Sequence, residues 1–256
     1  MLSSLMAGAS EDAATRRETR PLSVVEAAAL AQVPALDALA FLQPEDSVKI
    51  IAEVKRASPS RGALADIPDP AALAALYEKG GASAVSVLTE GRKFGGSLED
   101  LEAVREAVSL PVLRKDFISD PYQVFEARAS GADLVLLIVA ALEQPLLQEL
   151  YDLIGQLGMA ALVETHDATE VSRALDLGAN LVGVNARNLS TFELDRDLFG
   201  RLADQIPAGV VRVAESAVHS ADDVAHYRRD GADVVLVGEA LVTGDPLASL
   251  AHFLAV

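Results

Sequence analysis

The sequence predicts an α/β chain folded as a single (β/α)8 TIM barrel with an N-terminal helical extension. Three observations carry this expectation. The chain has 256 residues, and one such barrel typically takes about 250. A phrase recurs at Gly81-Ala82, Gly131-Ala132, Gly178-Ala179 and Gly231-Ala232, each time between an amphipathic stretch and a β-branched run. Its spacing of roughly fifty residues holds two βα units, so four phrases imply eight strands. Strand-like and helix-like segments also alternate strictly, which requires a parallel sheet.

The elements follow in order. Residues 1–46 read as an extension that packs on the barrel, helical over 21–33 and a connector over 34–46; residues 47–256 form the barrel. Strands are expected near 48–55, 84–88, 112–115, 134–138, 160–164, 181–185, 210–215 and 234–238. Helical patterns lie between them at 70–79, 97–108, 121–129, 142–157, 168–177, 196–205, 221–229 and 246–254. Asp69-Pro70 and Asp120-Pro121 are start signals, because proline suits the first helical position. The recurring glycine reads as the residue just past a helix end, where positive φ is easy without a Cβ. No Gly-rich G-x-G-x-x-G loop follows the first strand, which argues against a dinucleotide fold.

Composition narrows the function. Hydrophobic residues make up 51% of the chain, in short runs suited to strands covered on both sides. No run approaches the ~18 residues that span a membrane, and the first twenty residues lack the pattern of a signal peptide. There is no cysteine, which removes disulfides and thiolate chemistry and suits the cytoplasm. A net charge of −17 repels nucleic acid and anionic membranes. An anionic small-molecule substrate would therefore need local cations and backbone N–H groups. His166, His219, His226 and His252 show no metal-ligand spacing, so no metal or other cofactor is expected. His166, though near Glu164, reads as a surface residue. A monomer or weak homo-oligomer is expected.

Barrel enzymes work at the C-terminal ends of their strands, and five of the eight expected strands end in functional groups. By period-two alternation Glu53 and Lys55 share a face with Ile51, Lys115 with Leu113, and Glu164 with Leu162. Asn185 ends the sixth strand and Glu215-Ser216 the seventh. Taken singly, each is an ordinary rim or turn residue. Together, two lysines and three glutamates converging where solvent is restricted are costly unless they serve a reaction. Ser58, Ala217, Gly238 and Glu239 lie in loops that can bind phosphate, since barrels often use the loops after strands seven and eight. The Glu239 side chain is expected to point away from that loop. Phe94, Phe117, Leu136 and Leu189 supply an apolar wall.

These motifs resemble the indole-3-glycerol-phosphate synthase family. The resemblance rests on Ile50-Ile51-Ala52-Glu53-Val54-Lys55-Arg56-Ala57-Ser58-Pro59-Ser60, Ser86-Val87-Leu88-Thr89-Glu90 with Phe94-Gly95-Gly96-Ser97, and Pro111-Val112-Leu113-Arg114-Lys115-Asp116-Phe117. It continues through Leu162-Val163-Glu164, Val184-Asn185-Ala186-Arg187-Asn188-Leu189 and Val213-Ala214-Glu215-Ser216. It implies an anilino sugar phosphate as substrate, closed to an indole with loss of CO2 and water. Lys115 would be the general acid, Glu164 would move later protons, and Lys55 would hold the carboxylate. Glu53, Asn185, Arg187, Glu215 and Ser216 would orient substrate and lysines. Ser58, Gly238 and adjoining backbone would hold phosphate, and the apolar wall the aryl ring. One departure stands out, Ala217 where the family usually has glycine. The competing readings are another phosphate-binding barrel enzyme, such as an isomerase or aldolase, and a non-catalytic or altered-specificity paralogue.

Overall fold

The computed structural model describes residues 1–188, 191 and 193–256. Eight parallel strands close into a barrel. They are β1 (Lys49–Val54), β2 (Ala84–Leu88), β3 (Val112–Lys115), β4 (Leu134–Ile138), β5 (Ala160–Thr165), β6 (Leu181–Asn185), β7 (Val211–Glu215) and β8 (Val234–Val237). Each pairs with its sequence neighbour, and β8 closes onto β1 in the register Ile51 to Leu236. A short antiparallel ribbon, Ala57–Ser58 with Gly62–Ala63, stands above β1.

The strand alternation sorts the chain into two apolar layers. Ile51, Leu113, Leu134, Leu162, Leu181 and Val213 fill the barrel interior. Val54, Val85, Val112, Val135, Val163 and Val182 face outward, under the helices. β-Branched residues suit these strands because both faces are buried. The recurring glycines do end helices: Gly81, Gly131, Gly178 and Gly231 all have positive φ, from 77° to 93°. At the first, Ala82 N–H donates to the Tyr77 carbonyl and Gly81 N–H to that of Glu78, which closes the last helical turn.

The extension wraps the barrel from mouth to floor. It comprises α1 (Leu2–Thr19), α2 (Leu22–Ala31) and α3 (Ala38–Leu42). The helix expected at 21–33 is α2. It lies along a later helix, Pro121–Ala129, where Val25 meets Tyr122. The stretch expected as a connector contains α3, capped by the Asp37 side chain on Ala40 N–H. Its Ala38 and Leu42 join the interior cluster. Leu36 N–H donates 2.8 Å to Asp133, whose other oxygen takes Val112 N–H at 2.9 Å, so one carboxylate ties the extension to the floor. α1 buries a narrow stripe of small and apolar residues, Leu5, Ala9 and Ala13. Long-range ion pairs add to it: Arg16 to Glu126 at 2.6 Å, Arg17 to Asp120 at 2.7 Å, and Arg92 to both Glu11 and Asp12. Among the described residues no helix is long and apolar enough to cross a membrane.

Candidate active site

A cavity lined by charged and aromatic side chains opens at the C-terminal end of the strands. The inward charges meet beneath it. Lys115 Nζ lies 2.9 Å from Glu215 Oε2 and 3.5 Å from Glu164 Oε2. Lys55 Nζ lies 3.5 Å from Glu53 Oε1, and Ser86 Oγ donates to Glu53 Oε2 at 3.3 Å. Two absent side chains make room for this cluster. A Cβ on Gly183 would stand 2.2 Å from Glu215 Oε1, and one on Gly238 would stand 2.6 Å from Glu53 Oε1.

Burial and charge set the protonation of the three central groups. Burial by itself lowers Lys115, but Glu215, Glu164 and Glu53 outweigh it and raise the ammonium well above the usual lysine range. Burial pushes Glu164 up, yet Lys115 and His166 hold its carboxyl below the ordinary range. Glu215 goes the other way. Burial, Glu164 and Glu53 raise it against the opposing pull of Lys115. Two carboxylates sharing one ammonium thus separate into one that stays ionised and one that holds a proton more readily.

An apolar wall faces the charges. Phe94 and Phe117 have ring centroids 6.0 Å apart, and Leu136 lines the same cavity. Lys55 Nζ sits 5.8 Å from the Phe94 ring centre, a cation beside an aromatic face. Leu189 lies outside the described residues. Leu5 of α1 completes the wall. It escaped sequence reasoning, although the helical spacing of Leu5, Ala9 and Ala13 could have signalled it.

The remaining predicted residues gather on the opposite side. Asn185 Oδ1 accepts from Ser216 Oγ at 2.8 Å and from Arg187 N–H at 3.0 Å, binding the ends of β6 and β7 together. Ser216 and Ala217 both have positive φ, 70° and 56°. Ser58 Oγ is buried without a hydrogen-bond partner. Ala217 and Gly238 line an adjoining recess that shares Lys55, Lys115 and Arg187 with the main cavity. Two expectations need correction. Glu239 does not turn away. Its side chain lines the cavity and pairs with Arg61, a partner 178 residues earlier in the chain. Nor is His166 a surface residue. Its side chain is 13% exposed and reaches Glu164. Extending the β5 alternation by two residues would have placed it beside Glu164.

A parallel barrel whose mouth sets paired lysines and buried carboxylates against an aromatic wall belongs to the acid–base enzymes built on this fold. The profile of the indole-3-glycerol phosphate synthase family matches residues 2–253. A protein named indole-3-glycerol phosphate synthase from Leifsonia xyli subsp. xyli is 74% identical over 99% of this chain and 97% of its own. Its namesake from Beutenbergia cavernae is 59% identical over 100% and 95%. The chain belongs to the indole-3-glycerol phosphate synthase family. Solved structures share the fold alone. An N-acetylmannosamine-6-phosphate 2-epimerase from Clostridium perfringens has a TM-score of 0.60 at 15% identity, over 76% of this chain and 88% of that one. A thiamine phosphate pyrophosphorylase from Pyrococcus furiosus has a TM-score of 0.60 at 13% identity, over 80% and 93%.

Proposed function

We infer that the chain is a carboxy-lyase of tryptophan biosynthesis. It closes 1-(2-carboxyphenylamino)-1-deoxyribulose 5-phosphate to indole-3-glycerol phosphate, releasing CO2 and water. Family membership supports the reaction. The observation that carries the mechanism is Lys115, held between Glu164 and Glu215 at the edge of an aromatic slot.

The aryl ring lies between Phe94, Phe117 and Leu136, with its carboxylate toward Lys55. As the ring carbon bonds to the ribulose carbonyl carbon, negative charge grows on the carbonyl oxygen. A fixed ammonium at Lys115 stabilises that charge and delivers the proton. CO2 leaves with the electrons of its bond returning to the ring. The new hydroxyl then departs as water on a second proton, and Glu164 removes the proton that completes the indole. Glu215 passes a proton back to Lys115 across 2.9 Å. Glu53, Asn185 and Ser216 hold these groups in place. Ser58, Arg187, Gly238 and the backbone at Ala217 take the phosphate. We further infer a cytoplasmic monomer or weak homo-oligomer without nucleic-acid partners, consistent with a net charge of −17 and no cysteine.

The test is turnover of the anilino-deoxyribulose phosphate by purified protein, followed as indole fluorescence. The chain contains no tryptophan, so the background is low. Absence of indole would sink the reading.

Two further results are expected at the phosphate side. Ala217→Gly relieves a left-handed conformation that costs an L-residue roughly 1 kcal/mol, and it removes a methyl from the recess. The Michaelis constant should fall; an unchanged or higher value refutes this. Glu239→Gln removes an anion that opposes phosphate near Arg187. Inorganic phosphate should then inhibit severalfold more tightly, and equal inhibition would show that Glu239 does not oppose the anion.

A further inference from the structure

Behind Glu164 lies a cluster that the roles above leave unexplained. His166 Nε2 stands 3.3 Å from Glu164 Oε1, and His166 Nδ1 stands 3.0 Å from Glu170 Oε2. Glu170 lies in the first turn of the helix Ala168–Asp176, and its carboxylate also takes the His166 backbone N–H at 2.8 Å. Asp167 caps the same helix by accepting from Glu170 N–H, which fixes Glu170 in turn. The ring is therefore gripped from two sides. A neutral imidazole donates through one nitrogen only, so two flanking carboxylates are satisfied only by the doubly protonated ring. Glu164 Oε1 is buried without a hydrogen bond of ordinary geometry, which leaves the charge of that ring to offset its burial.

We propose that His166 is a positioning residue, whose imidazolium, clamped between Glu164 and Glu170, keeps the Glu164 carboxylate ionised and turned toward Lys115 and the cavity. The role rests on Glu164 being the base assigned above. The charged and polar groups facing Glu164 are Lys115 from β3, Asn185 from β6 and His166 itself, with Glu215 and Glu53 beyond Lys115. Those facing His166 are Glu164 and Glu170. Burial lowers the ring, but the two carboxylates prevail and raise it to about 10. The sign follows. With the ring gone, burial acts on Glu164 less opposed, its carboxyl rises, and the base is protonated at higher pH.

The experiment is a pH profile of kcat and KM for wild type, His166→Ala, His166→Gln and Glu170→Gln, with nitrogen-15 NMR of the wild-type ring. His166→Ala should move the acidic limb up by about one unit, which lowers kcat about tenfold on that limb, with KM within about twofold. His166→Gln restores a donor without the charge, so it should recover kcat in alkali while keeping the displaced limb. Glu170→Gln should move the limb part of the way. The wild-type ring should be doubly protonated near pH 7.5. An unmoved limb in both His166 variants, or a neutral ring, overturns the role while leaving the reaction intact. Wild-type protein without turnover overturns the assignment of Glu164, and this role with it, whatever the ring's charge.

Discussion

Replacing Lys115 with methionine is expected to lower kcat by about two to four orders of magnitude, the usual contribution of a positioned general acid. Methionine keeps most of the side chain's bulk and removes only the ammonium. The loss falls on the step where carbonyl oxygen becomes hydroxyl, because Lys115 is the cation lodged between Glu164 and Glu215. Lys55, beside Phe94, is untouched, so substrate binding should change far less than turnover. With the ammonium gone, Glu215 loses its counterion and takes a proton, while His166 remains beside Glu164. Single-turnover kinetics with circular dichroism as a folding check would test this. A folded variant retaining more than about a tenth of wild-type kcat would move the acid elsewhere.

The largest expected effect on stability is at Arg114. It follows Leu113 on β3 and points outward, opposite to Lys115, where it is fully buried. Its guanidinium donates to Asp116 at 2.9 Å, to the Gln123 carbonyl at 2.7 Å and to Thr89 Oγ1 at 3.2 Å, and lies 3.6 Å from Glu126. Arg114→Met fills the volume but leaves Asp116 without its buried counterion. Breaking such a pair from one side costs about 3–5 kcal/mol. For a chain of this length, that lowers the melting temperature by about 10 °C. Asp116 joins Lys115 to Phe117 in the chain, so activity should fall with stability. Calorimetry showing a change under about 1 kcal/mol would mean that Arg16, already on Glu126, and solvent absorb the loss.

Most of the barrel was legible because its signals are local. Each even-numbered strand follows a helix closed by a glycine of positive φ, and that closure is written in a few adjacent residues. The inward set of Glu53, Lys115 and Glu164 was legible for the same reason, since alternation from Ile51, Leu113 and Leu162 settles their face, while Glu215 was read only as the end of its strand. What escaped depends on partners distant in sequence. α1 is held by Arg16 and Arg92, whose partners lie 110 and 80 residues away. Glu239 turns inward to meet Arg61, which comes from the loop after the neighbouring strand β1, 178 residues earlier in the chain. His166 lay within reach of the alternation, but its second partner, Glu170, belongs to the next helix.

The course of α1 also decides where the molecule can be handled. Leu5 lines the cavity and Arg92 straps Glu11 and Asp12 to the loop that carries Phe94, so the first turns of the chain lie across the entrance. An affinity tag or fusion partner joined ahead of Met1 would hang over the doorway and strain that strap. The other terminus is remote. Leu254 ends its helix against Gly81, at the floor. A handle on Val256, or a surface tethered through it, would leave the entrance clear. Kinetic comparisons between variants are therefore cleanest when the protein is held by its tail.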